Sequence, residues 1–161
     1  MPVLHSQYSG QGTNSAGEVI PIPPAMALAG RGPVLNVTIA VADQVAQELV
    51  KQGKPVQPAV SGVGLIDTGA STTCVDDETA RQLQLPVIDV VSMQSASHAS
   101  HPANVYPIRI NIAGFPVGIN APRATGAALK AQGLIALIGR DVLVACTLHY
   151  NGMAGQITLA I

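Results

Sequence analysis

The stretch that most constrains this chain is Val63-Gly64-Leu65-Ile66-Asp67-Thr68-Gly69-Ala70-Ser71-Thr72-Thr73. An apolar run stops at an acid, and a small residue, a glycine and another small residue follow. The run reads as a buried strand, and Gly69 gives the freedom for a sharp turn at its end. Asp67 then sits where a stiff backbone holds its carboxylate, within reach of the N–H groups of the turn. That placement suits a carboxylate that must act as acid or base from a rigid element.

At 161 residues the chain has the length of one domain with a substantial core. Hydrophobic residues make up 48% and charged residues 11%, with a net charge of −1, which excludes a disordered chain and a phosphate-tracking surface. So few charges and aromatics fit a surface partly covered by a partner chain. Cys74 and Cys146 form no CxxC and no metal spacing; both read as small buried residues in a reducing compartment, with a disulfide left open. The N-terminus lacks a basic segment followed by an apolar core, and no apolar run approaches the ~20 residues of a membrane helix. The expected location is the cytoplasm.

A second stretch, Leu134-Ile135-Ala136-Leu137-Ile138-Gly139-Arg140-Asp141-Val142-Leu143, lies about seventy residues after the first. Together the two carry a resemblance. Leu65-Ile66-Asp67-Thr68-Gly69-Ala70 resembles the active-site signature of the retropepsin-like aspartic proteases, the single-lobed relatives of pepsin found in retroviruses and some bacteria. The second stretch is similar to the family's other motif, two bulky apolar residues and a glycine followed by arginine and a short helix. The resemblance covers roughly Pro33 to Ile161. It implies an all-β fold with short helices, a closed barrel-like acid-protease half that pairs as a homodimer. It also implies endopeptidase activity without a cofactor.

The remaining elements are expected as follows. Residues 1–32, rich in Gly, Ser, Pro and Gln, read as a flexible leader before a domain at 33–161; an extended segment along a sheet edge or in the groove of its own dimer is the alternative. Leu35, Val37, Ile39 and Val41 alternate with Asn36, Thr38 and Ala40, as in a half-buried strand. A short helix follows from Asp43 through Gln52, capped by Asp43, with Val45, Leu49 and Val50 inward. Asp76, Asp77 and Glu78 read as acids at a helix start rather than as catalytic or metal-binding groups. Val87 to Met93 and Asn104 to Ile112 form a hairpin with its tip near Ser95 to Pro102. Phe115 to Ile119 forms a strand, Asn120 to Gly133 a loop with one helical turn, Leu134 to Ile138 a strand and Arg140 to Cys146 a helix. A hairpin around Gly152 to Gly155 closes the chain.

An aspartic protease needs two carboxylates sharing one proton, because two acids about 3 Å apart cannot both ionise. The sequence has one Asp-Thr-Gly, and its other aspartates, at 43, 76, 77, 89 and 141, lack that context. The resemblance therefore implies one Asp67 from each of two chains. It places Thr68 against the partner's turn, the Gly69 N–H on the carboxylate, and Ala70 beside the substrate. Ser71, Ile138 and Gly139, with Ser97, His98 and Ala99 of the hairpin as a flap, complete the implied substrate contacts. Ala70 stands where pepsin-like enzymes carry a serine whose hydroxyl can stabilise the ionised acid, so a mildly acidic optimum is expected. Ser71 stands where retroviral enzymes usually have an acid that pairs with the arginine of the second motif. Arg140 must then turn to Asp141, another acid or backbone carbonyls, in an interface role or a surface one. His98-x-x-His101 has a possible metal spacing but no third ligand nearby, so no metal is expected. The alternative to an enzyme is a non-catalytic, dimerising, peptide-binding module of the same fold.

Overall fold

The computed structural model describes residues 2–95 and 98–161. The chain is mostly β with short helices, and it divides into two compact units, residues 1–34 with 145–161, and residues 35–144.

The first unit overturns the reading of residues 1–32 as a flexible leader. Strand β1 (Val3–Gln7) pairs antiparallel with β12 (Gln156–Ala160), which pairs in turn with β11 (Thr147–Asn151). A second hairpin joins β2 (Gly10–Thr13) to β3 (Val19–Ile22), its turn tied by Asn14 Oδ1 accepting from the N–H groups of Ala16 and Glu18. Helix α1 (Pro24–Arg31) opens on a proline, which has no N–H to satisfy, and ends at Gly32 with φ +72°. Leu28 is fully buried, as are Ile157 and Leu159 to within 1%. Composition suggested disorder because the segment is rich in Gly, Ser, Pro and Gln, but its β1 strand finds a partner at the far end of the chain. The expected C-terminal hairpin is present as β11 and β12.

The second unit holds the strand pairings around the Asp67 turn. Its strands are β4 (Val34–Val41), β5 (Val60–Ile66), β6 (Cys74–Asp76), β7 (Asp89–Ser95), β8 (His98–Ile112), β9 (Ile119–Ala127) and β10 (Ala136–Ile138). They hydrogen-bond in the order β4-β5-β10-β6-β9-β8-β7, and β8 also pairs with β4, so the pairings run in a closed circuit with β7 outside it. The alternation in β4 holds: Leu35, Val37, Ile39 and Val41 are buried. On β8, Ile108 and Ile110 are fully buried, and a register shift between Tyr106 and Ile108 interrupts its pairing with β9.

Several elements differ from expectation. Helix α2 (Asp43–Lys51) buries no residue, Val50 is exposed, and Asp43 does not cap it. The Asp43 carboxylate instead accepts from Arg109 and Asn120. The anticipated strand at Phe115 to Ile119 and loop at Asn120 to Gly133 are replaced by one strand, β9, followed by a 3-10 turn at Lys130–Gln132. Pairing on both edges, antiparallel to β8 and parallel to β6, outweighs the loop-like composition of Asn120 to Gly126. Helix α3 (Asp77–Gln82) is capped as read: Asp76 Oδ2 accepts from the N–H groups of Glu78 and Thr79, both at 3.1 Å. Helix α4 (Arg140–Leu143) is shorter than the Arg140 to Cys146 expected.

Candidate active site

Asp67 is placed by two parallel strands. β5 and β10 pair Gly64 with Ala136, Leu65 with Leu137 and Ile66 with Ile138. The ladder runs one step further, because the Asp67 N–H donates to Ile138 O at 3.0 Å. Ile66 and Ile138 are buried beside it, so the acid leaves the sheet from a fixed point. The chain then turns. Asp67 Oδ1 accepts from Gly69 N at 2.9 Å and Ala70 N at 3.2 Å. Any side chain at Gly69 would start 3.1 Å from that oxygen, which favours glycine there. Among the described residues no donor reaches Oδ2. Asp67 is half-buried, while Thr68 and Gly69 are exposed.

The second motif closes on this turn from the other side. Gly139 lies so near the chain that a Cβ would fall 2.6 Å from Thr72 C and 2.7 Å from Thr73 N; only glycine fits. Thr73 is fully buried, and its hydroxyl donates to Asp141 Oδ1 at 2.7 Å while accepting from Gly139 N at 3.0 Å. The Thr73 N–H is shared by both Asp141 oxygens, at 2.9 and 3.0 Å. Asp141 also accepts from Val142 N at 2.9 Å, at the first turn of α4. Arg140 finds its partners in backbone carbonyls: Nη1 donates to Thr68 O at 2.8 Å and Gly69 O at 3.0 Å. Of the alternatives open from sequence, adjacent Asp141 is ruled out, since its carboxylate serves Thr73.

A cleft of about 720 Å³ opens beside the turn, lined by Gly69, Ala70, Ser71 and Thr72, by Val91 to Met93 of β7, and by β9 residues including Arg123. Two of the expected substrate contacts, Ala70 and Ser71, line it. Ile138 and Gly139 do not: both are buried, Ile138 completely, and they pack behind the turn because the parallel ladder turns them inward. Ser97 lies outside the described residues, and His98 and Ala99 begin β8. Sequence reasoning missed Thr73 and Asp141, which fix the turn, and Arg123, which meets Asp89 at 2.5 Å across β8. An acid directly after the glycine–arginine pair, opening a helix, was the available signal for Asp141.

Cys74 also borders the cleft. Burial pushes its thiol up to about 11, and the neighbouring carboxylates of Asp67 and Asp141 push the same way. Near neutral pH it is a thiol rather than a nucleophilic thiolate. Neither cysteine forms a disulfide. Among the described residues no group of three or more His, Cys, Asp or Glu side chains could hold a metal ion, and no helix is long and apolar enough to cross a membrane.

No family model matches the chain, and no curated protein matches it. Solved structures do. One is a retropepsin-like aspartic protease from Rickettsia conorii, at 13% identity over 98% of this chain and 90% of that one, with a TM-score of 0.47. Another is the retroviral protease-like domain of Ddi1 from Leishmania major, at 14% identity over 74% of this chain and 82% of that one, with a TM-score of 0.39.

Proposed function

We propose that this chain is an aspartic endopeptidase that works as a two-fold homodimer, with one Asp67 from each copy. The supporting observation is the state of the Asp67 carboxylate. One oxygen is fixed by two backbone N–H groups, and the other is open on an exposed turn beside a cleft. A carboxylate held this way is oriented without being used up. Two of them across a dyad would share a proton, one drawing a proton from the attacking water and the other donating to the scissile carbonyl. The pair is needed because the other aspartates are committed or lack such a turn. Asp43 and Asp89 meet arginines, Asp76 caps α3 and Asp141 holds Thr73.

An extended peptide would lie in the cleft between the turn and the β7–β8 hairpin, against Ala70, Ser71 and Met93. Thr68, exposed in the single chain, would meet its counterpart turn. The reaction asks for no cofactor. The test is cleavage of a mixed peptide library from about pH 3.5 to 7, read by mass spectrometry, with Asp67→Asn alongside. Cuts by the wild type that vanish in the variant support the mechanism, with the expected optimum mildly acidic. A protein shown to be dimeric that binds peptides and cuts none would instead be a peptide-binding module.

A further inference from the structure

Of the three peptide groups between Asp67 and Ala70, the last two are Thr68–Gly69 and Gly69–Ala70. Their N–H ends converge on one atom, Asp67 Oδ1. Their C=O ends converge on another, Arg140 Nη1. The same two peptide dipoles are therefore gripped at both ends, by a carboxylate at the positive end and a guanidinium at the negative end. The Arg140 backbone N–H adds a third contact, donating to Ala70 O at 3.0 Å. Among the described residues Arg140 makes no ion pair.

We propose that Arg140 is a positioning residue for Asp67 within its own chain, acting through these two peptide groups. The inference rests on the aspartic reading above for its catalytic consequence, and on geometry alone for the clamp. A carbonyl that accepts a hydrogen bond makes the N–H of the same peptide a stronger donor, since such chains polarise one another. The guanidinium thus does two things. It keeps both peptide planes from rotating, and it strengthens the donors that orient the Asp67 carboxylate. Lysine carries the charge but lacks the planar donor geometry, so it replaces Arg140 only in part.

The experiment compares wild type, Arg140→Lys and Arg140→Met. Amide NMR signals of Gly69 and Ala70 report the clamp directly, with Ile66 and Val75 as internal controls, and sedimentation reports the oligomeric state. The Gly69 and Ala70 amide protons are expected to move upfield in Arg140→Met and part of the way in Arg140→Lys, with the controls unmoved. In the peptide assay kcat falls, by up to about 10²-fold in Arg140→Met, while KM changes little. Signals at Gly69 and Ala70 that stay put in a folded variant overturn the proposal. So does a loss of kcat that comes only from dissociation into monomers, which makes Arg140 an interface residue. If Arg140→Met does not fold, the partial shift in Arg140→Lys decides. A wild type that cleaves nothing counts against the proteolytic reading, and the amide signals still decide the clamp.

Discussion

Replacing Asp76 by asparagine should cost this protein a large part of its stability. The residue is 3% exposed and its carboxylate receives four backbone N–H bonds. Oδ2 takes Glu78 and Thr79 at 3.1 Å; Oδ1 takes Leu129 and Lys130 at 3.0 Å. Burial by itself would raise the carboxyl's pKa, but the four donors outweigh it and hold the group below the usual carboxylate range. Asparagine keeps one oxygen and turns an NH₂ toward the other two donors, so two N–H groups lose their acceptor. Hydrogen bonds to a charged group contribute about 1.5–3 kcal/mol each. Two lost bonds, less the relief of not burying a charge, give a destabilisation of about 3 kcal/mol. At roughly 2–4 °C per kcal/mol for a chain of this size, the melting temperature should fall by about 6–12 °C. Urea unfolding followed by circular dichroism measures it as a lower midpoint at unchanged slope. The pH dependence gives a second check. A depressed folded pKa stabilises above the unfolded value, about 3.9, and that contribution is lost as the pH falls through the folded value. The gap between wild type and variant should therefore be full at pH 7 and narrow steadily below about pH 4. A gap under about 1 kcal/mol at pH 7, or one that widens on acidification, would refute the reasoning.

Three further outcomes are expected. Gly139→Ala sets a methyl against Thr72 and Thr73 backbone that cannot move aside, and should destabilise by about 3 kcal/mol in the same urea assay. Leu28→Ala should cost about 2–5 kcal/mol because Leu28 is fully buried, whereas exposed Met26→Ala should stay within about 0.5 kcal/mol; equal small effects would return residues 1–32 to a loose leader. At high pH, burial, helped by Tyr150, pushes Tyr8 up to about 12, and burial pushes Cys74 up to about 11. Groups whose folded pKa is raised stabilise fully below the unfolded value and less as the pH climbs to the folded one. Unfolding free energy should thus begin to fall above about pH 9, and Tyr8→Phe with Cys74→Ala should flatten that fall.

The sequence by itself determined the local features. One residue type at one position settles them: the acid ending an apolar strand at Asp67, the turn at Gly69, the Asp76 cap and the alternation of Leu35 to Val41. It also settled, by counting a single Asp-Thr-Gly, that one chain supplies one such acid. The remaining features depend on contacts between distant residues, and these only the tertiary structure decided. Residues 1–32 look disordered until β1 meets β12 and Leu28 finds a core. Asn120 to Ala127 looks like loop until β6 and β8 take its two edges. Around Asp67, the strand β10 that fixes the acid, the Thr73–Asp141 lock and the Arg140 clamp all join residues about seventy positions apart. Spacing along the chain announces that such partners exist. Which carbonyl accepts and which carboxylate is left open follow from the three-dimensional path, because hydrogen bonds depend on distances and angles that sequence order does not contain.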